Sequence, residues 1–599
     1  MAIATSDNPL AGPSPSHARE LLVSLALGLL TGALVYMSFA PLNVSWCAPL
    51  AALSIAYTAS RLSRLANAAV LAGKKPRTKR HAMLFALGTV PMWLWLHRYL
   101  IDVAGPSYVP LAFYLAAYYA IFVWLAARVV ARRGDAHPIA ALGALAGVWA
   151  LLELCRGDYV LSGYSFFNLA QPLISVLGPV GSVLGVAGCA GLLMWVVFAM
   201  LGPWRTNQRR ASVGLAVPVG IIMVLWAAGP GFDTFARPAR GPDASASRKL
   251  VVGIVQTDLP QSNKIGWGIA ERLQAFGEWL ELSAQAAAAG ADVVVWPETM
   301  YPGRNLQPEW TALERREGIY LPYKQSDGRD ARLYLAELAD VLTAAQQKFG
   351  VPMLIGAIGA DGVALDRQSA RLSYQARYNS MFLLSDGAVS AQRYDKMRLT
   401  PFGEFIPIAW RFPSVQNAIV GLGAKGMRFD LGHGSTPRVF ELKTKSGGLV
   451  RTVTPICFEM TYPGTCRELV MGKGALGGWA AQRQADLIIT PSNDGWFGTM
   501  DEGRYEHLRS AQWRAAELGT PVVRVVNTGI SCVIDAHGRV IGPRLAEHQQ
   551  GVLTPTVDIN TRETLYSRWG DWPVLLWGLL SAAWCLFACF SPRFGHAAR

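Results

Sequence analysis

The residues best suited to chemistry lie where apolar, strand-like runs stop and polar residues begin. D-V-V-V-W-P-E ends at Glu298, V-R-T-V-T-P-I-C-F-E at Cys457 and Glu459, and D-L-I-I-T-P-S-N-D-G-W-F-G around Asn493, Asp494 and Trp496. A further polar cluster, Y-D-K-M-R-L-T-P-F-G-E-F-I-P, holds Lys396 and Glu404. Open α/β sheets gather their sites at the carboxyl ends of strands, so these residues can meet. A thiol attacks a carbonyl as thiolate, which requires a base for its proton and positive charge for the developing oxyanion. No histidine lies near these strand ends in sequence. Glu298 is the candidate base, and Lys396 with the backbone N–H of Phe458 the candidate oxyanion donors. A Glu–Lys–Cys set is chemically complete for acyl transfer through a thioester.

Each residue also has a plainer reading. A cysteine after a strand is ordinarily core, Lys396 alone reads as a surface lysine, and Glu298 as a cap. Glu404 and Glu459 read equally well as salt-bridge partners. It is the ordered combination of motifs that favours catalysis.

The elements that must carry these residues divide by composition. The chain has 599 residues, 52% hydrophobic and 16% charged, which is too apolar for a soluble protein of this length. Crossing the hydrocarbon core takes roughly 20 apolar residues in a helix. Candidate spans lie at 21–41, 46–61, 82–101, 108–130, 138–157, 175–200 and 212–229, with an eighth at 573–590. Basic residues alternate between loops: Arg61 to Arg80, then Arg128, Arg132 and Arg133, then Arg205, Arg209 and Arg210. By the positive-inside rule these loops share the cytoplasmic side, and the segment 230–572 lies outside, in the periplasm of a Gram-negative cell. The net charge of +14 is thus a topology signal, and nucleic acid drops out as a partner. The eight cysteines and nine histidines show no C-x-x-C, H-x-H or H-E-x-x-H, so no metal site is expected. Cys466 and Cys532 read as structural, with a disulfide open in an oxidising compartment.

The expected organisation is a membrane domain of seven helices over 1–229, a linker at 230–248, an α/β domain over 249–560, and a last helix with a tail over 561–599. Within the α/β domain, strands are expected at 250–256, 292–297, 353–358, 450–456, 486–491 and 522–527. Helices are expected at 268–289, 329–348 and 505–519, and hairpin turns at S-D-G 385–387 and D-A-H-G 535–538. No internal repeat is visible.

W-P-E, then Y-x-K-x-x-L-x-P-F-G-E-x-x-P, then C-F-E, in that order, resemble the nitrilase (carbon–nitrogen hydrolase) superfamily. The leading and final spans, G-I-V-Q-T-D-L-P-Q-S, S-N-D-G-W-F-G, E-L-C-R-G and L-Y-S-R-W-G-D-W-P resemble its membrane branch, the apolipoprotein N-acyltransferases. The resemblance implies an αββα sandwich beside the membrane helices and a triad of Glu298, Lys396 and Cys457. It implies supporting roles for Glu404 and Glu459, and mobile loops over the site carrying Trp267 and Trp496. Phe458 stands where that branch commonly has tyrosine, and 303–335 looks like an insertion. The implied reaction takes an acyl chain from a membrane phospholipid onto Cys457 and passes it to the α-amine of a lipoprotein's diacylglyceryl-cysteine. It needs no cofactor, and a monomer in the bacterial inner membrane is expected. A nitrilase-type amidohydrolase at the membrane, or a paralogue with an accessory envelope or conjugation role, remains the alternative.

Overall fold

The computed structural model describes residues 15–101, 105, 108–133, 138–201, 208–231, 248–259, 268–324, 328–366, 371–401, 403–405, 431–472 and 482–590. Trp267 and nearly all of the expected linker lie outside the described residues.

Helices occupy every one of the eight apolar stretches. They are α1 (Pro15–Ser38), α2 (Cys47–Leu71), α3 (Thr78–Leu96), α4 (Tyr108–Arg133), α5 (Pro138–Leu154), α6 (Ile174–Leu201), α7 (Gln208–Gly231) and a helix at Trp572–Phe590. Among the described residues, five segments are long and apolar enough to cross a membrane: Ala18–Ser38, Tyr108–Arg132, Pro138–Ser162, Gln171–Leu201 and Trp572–Phe590. In α7 the apolar stretch is shorter, Leu215–Ala227, and in α2 the apolar run, though not the helix, is interrupted by Arg61 and Arg64. Small residues let the helices touch. A Cβ on Gly28 of α1 would stand 2.0 Å from the Phe85 carbonyl oxygen and 3.0 Å from Gly88 Cα in α3, the close backbone approach that glycine permits.

The strands begin with β1 (Lys249–Gln256) and β2 (Val293–Val295) and continue through a hairpin of β3 (Tyr320–Lys324) and β4 (Asp330–Tyr334). Then come β5 (Met353–Asp361), a small hairpin of β6 (Ala364–Asp366) and β7 (Arg371–Ser373), β8 (Ala376–Ser385) and β9 (Ala388–Asp395). The second half holds β10 (Phe440–Lys443), β11 (Leu449–Val453), β12 (Leu487–Ser492), β13 (Val522–Val526), β14 (Ser531–Ile534) and β15 (Val540–Leu545). Last are β16 (Gly551–Leu553) and β17 (Thr556–Asp558). One sheet runs β16-β1-β2-β5-β8-β9, with β17 also on β1, and the other runs β10-β11-β12-β13-β14-β15. In both sheets parallel strands (β1-β2-β5, β11-β12-β13) are followed by an antiparallel pair (β8-β9, β14-β15). The two halves share an architecture that no sequence repeat betrays.

Side chains of a strand alternate between faces, and β1 divides accordingly. Val252 and Ile254 join a core with Val453 and Ile488 of the opposite sheet. Val255 packs instead with Phe276 and Trp279 of α8 (Ile269–Ala288) and Leu338 and Leu342 further on. The layers are therefore helix, sheet, sheet, helix, as expected.

The hairpin turns at 385–387 and 535–538 join β8 to β9 and β14 to β15. Other expectations need correction. The helix expected over 329–348 begins only at Leu335, because D-A-R-L-Y pairs with β3 as β4. The helix expected from 505 starts at Asp501. Strand β10 was hidden in the short alternation F-E-L-K. Cys466 and Cys532 are both buried free thiols, so the open disulfide is not formed.

Candidate active site

Strand β11 stops at Val453, and the chain runs through Thr454, Pro455 and Ile456 to Cys457, which opens a short 3-10 turn, Cys457–Thr461. Cys457 has φ 52°, a left-handed conformation that costs a residue with a Cβ of order 1 kcal/mol or more. What holds the turn is Glu459, fully buried two residues on. Its carboxylate accepts the N–H of Ile456 at 2.7 Å, of Met397 at 2.7 Å and of Arg398 at 2.9 Å, and the Tyr394 hydroxyl at 2.9 Å. One carboxylate thus ties the cysteine turn to the segment following β9. Burial pushes it up to about 7, against those donors.

That segment delivers Lys396, whose side chain is 1% exposed. Its ammonium lies 2.8 Å from Glu404 Oε2 and 3.3 Å from Glu298 Oε1, and it donates to Thr400 Oγ1 at 3.1 Å. Glu404 is fixed in turn by the Thr400 N–H at 2.7 Å and Asn379 Nδ2 at 3.0 Å. Glu298 follows β2 and is buried. Its Oε1 also accepts Asn379 Nδ2 at 2.6 Å, and its Oε2 accepts the Asn493 N–H at 2.9 Å.

Electrostatics sets where the proton rests. Burial pushes the Glu298 carboxyl up, but the Lys396 charge and hydrogen bonds from Asn379, Cys457 and the Asn493 amide outweigh it, leaving the carboxyl below its ordinary value. For Cys457, burial and then the Glu298 charge raise the thiol well above its ordinary value, only partly countered by Lys396. Burial alone would lower Lys396, but Glu298, Glu404 and Cys457 raise it above normal. These shifts favour a neutral thiol beside an ionised carboxylate and an ammonium, an arrangement in which the carboxylate can take the thiol proton.

The structure brings Glu298, Lys396, Cys457, Glu404, Glu459 and Asn493 into this one network. The Phe458 ring turns away from it, into an aromatic cluster with Phe166, Tyr462 and Tyr164 at 5.5, 5.7 and 5.8 Å. Trp496 is half-buried on the 3-10 turn Asp494–Phe497 and packs on the apolar core. Several participants escaped the sequence reading. Asn379 lies inside β8, an unremarkable strand position. Tyr394 and Thr400 flank the lysine, and only their places in the Y-x-K…T-P motif marked them. His507 lies in a helix, Asp501–Leu518, far along the chain. Its Nε2 is 2.9 Å from the Cys457 carbonyl oxygen and its Nδ1 2.9 Å from Asp494 Oδ1. Among the described residues, no group of three or more His, Cys, Asp or Glu side chains is arranged to hold a metal ion.

A thiol, a carboxylate and a lysine thus meet at the strand ends of a two-sheet sandwich. The profile of the carbon-nitrogen hydrolases matches residues 252–566, and the chain belongs to that family. Ahead of that match, residues 31–200 match the profile of the apolipoprotein N-acyltransferase N-terminal domain, which marks the membrane branch. The chain is 29% identical over 580 residues, 94% of each chain, to the apolipoprotein N-acyltransferase of Azotobacter vinelandii. It is 29% identical over 502 residues to that of Rhizobium rhizogenes, covering 81% of this chain and 82% of the relative. With that of Geobacter metallireducens it shares 27% over 477 residues, 78% of this chain and 77% of the relative.

Proposed function

We propose that this chain is a lipoprotein N-acyltransferase working through a thioester on Cys457. Glu298 takes the thiol proton as Sγ attacks the ester carbonyl of a membrane phospholipid. Lys396 and the Phe458 N–H hold the oxyanion. The ester C–O bond breaks, and the lysophospholipid oxygen leaves with the proton from Glu298. The free α-amine of a diacylglyceryl-cysteine then attacks the thioester and gives a proton to Glu298. The amide forms, and the sulfur leaves and recovers that proton. No redox cofactor or ATP enters this balance.

The observation carrying this reading is the contact between the cysteine turn and the membrane helices. Tyr462, at the end of that turn, donates its hydroxyl to the Gly163 carbonyl at 3.1 Å, and Phe458 packs on Tyr164 and Phe166 of the loop after α5. A nucleophile seated on a membrane-helix loop suits lipid substrates, because both reactants are then confined to a surface. A small soluble amide would give no reason for that arrangement.

In this reading residues 1–229 form the seven-helix membrane domain, 230–248 the linker, 249–560 the catalytic domain and 561–599 the last span and tail. All eight helices cross the inner membrane, the basic loops face the cytoplasm, and the catalytic domain works as a monomer on the periplasmic face. Trp496 lies near the substrate entrance. Purified protein given phospholipid and a diacylated lipopeptide should yield triacylated product. A reactive Cys457 without that product would refute the acceptor assignment.

A further inference from the structure

The peptide between Cys457 and Phe458 carries two groups that point in opposite directions. A trans peptide is planar, so its C=O and N–H are antiparallel. Whatever fixes the Cys457 carbonyl therefore also aims the Phe458 N–H. Among the described residues nothing accepts that N–H, which leaves it available to an oxyanion. The carbonyl, by contrast, is held by His507 Nε2 at 2.9 Å.

The imidazole is itself tightly held. Its side chain is 1% exposed, and Nδ1 faces Asp494 Oδ1 at 2.9 Å, with Asp494 completely buried. Asp494 also accepts Ser492 Oγ at 2.7 Å and Arg524 at 3.1 Å. Burial would raise the Asp494 carboxyl, but His507, Arg524 and Ser492 bring it down to about 2. The Cys457 carbonyl only accepts, so Nε2 is the donor that holds it, while Nδ1 faces Asp494 and, at 3.4 Å, Ser492 Oγ. A fixed donor thus stands behind the carbonyl end of the peptide whose N–H end is free for an oxyanion, and hydrogen bonds in series polarise one another.

We propose that His507, held by Asp494, is a positioning residue for acyl transfer: through the Cys457 carbonyl it fixes the left-handed cysteine turn and aims and polarises the Phe458 N–H as oxyanion donor. His507 touches no reacting atom. The inference rests on the acyl-transfer reading and deepens it.

Alkylation of Cys457 by iodoacetamide needs the thiol and its base but forms no oxyanion, whereas acylation by phospholipid needs all three. The two rates are compared in full-length protein for His507→Leu, His507→Gln and Asp494→Asn. Losing one oxyanion donor typically costs about 100-fold in turnover. In His507→Leu, acylation should fall by about that factor with KM unchanged, while alkylation stays within roughly threefold of wild type. His507→Gln, which keeps one N–H for the carbonyl, should recover part of the loss. Asp494→Asn, which serves where the leucine variant does not fold, should lose acylation and keep alkylation. Parallel loss of both rates, wild-type acylation in the leucine variant, or glutamine no better than leucine would each overturn the inference. If wild-type protein forms no thioester at all, the acyl-transfer reading fails instead.

Discussion

In the proposed reaction Cys457 is a nucleophile stored as a thiol. Burial and the Glu298 charge both oppose the thiolate, while Lys396 favours the ionised form of Glu298, the proposed base. On the proposed mechanism the proton moves only when a carbonyl is in place, which would limit reaction with stray electrophiles. In the absence of substrate, alkylation of Cys457 by iodoacetamide should accelerate with pH to beyond roughly pH 9, the ordinary thiol range, without levelling off. A plateau near neutral pH would mean that thiolate accumulates. Lys396→Met should remove both the charge that holds Glu298 ionised and one oxyanion donor. Acylation should drop by about 100-fold or more, measured as labelled acyl chain on the protein. Asp494 gives a test through stability. Its folded value near 2 lies below the unfolded one of roughly 4, so its contribution is present above about pH 4 and is lost as pH falls through 2. Thermal unfolding of Asp494→Asn should have a flatter acid limb than wild type over that window.

At the scale of elements, the site is made by what the strand ends bring across to one another. Glu298 and its turn lie directly against β5: a Cβ on Gly356 would stand 2.3 Å from the Pro297 carbonyl oxygen, 2.6 Å from the Thr299 nitrogen and 2.9 Å from Glu298 Cα. Gly356→Ala should therefore push the base off the thiol. Acylation should fall at least about tenfold at a stability cost of about 1–3 kcal/mol, read from rates and unfolding midpoints of the same preparation. Unchanged acylation would show that Glu298 tolerates displacement. The same geometry explains what could be read from the chain alone. Glu298, Lys396 and Cys457 each sit in a local motif at the end of a run, and so were legible. Asn379, which joins Glu298 to Glu404, is one polar residue within a long strand and reaches them only through the pairing of β5, β8 and β9. His507 reaches Cys457 only because its helix packs behind the cysteine turn, a relation of fold that no spacing encodes. Strand β4 was misread as the start of a helix because it alternates over only five residues and finds its partner in β3.

Across the whole molecule, the sandwich is fused to the membrane helices by buried and half-buried groups. Trp513 Nε1 donates to the Gln171 carbonyl at 3.0 Å, the Val186 N–H to Glu517 Oε1 at 2.8 Å, and Arg98 pairs with Glu502. The aromatic contacts of Phe458 continue this seam up to the nucleophile itself. Phe458→Ala should cost about 3 kcal/mol by opening a cavity there and lower acylation with it. Phe458→Tyr keeps the ring, and should keep both stability and acylation if the backbone N–H is what serves the reaction. The most direct test of the account is intact-protein mass spectrometry after incubation with phospholipid bearing a labelled acyl chain, followed by addition of a diacylated lipopeptide. The account predicts one labelled acyl chain on Cys457, removed by hydroxylamine, absent in Cys457→Ala, and discharged onto the α-amine of the lipopeptide. Triacylated product formed by Cys457→Ala, or an acyl chain that stays on Cys457 when the lipopeptide is added, would contradict it.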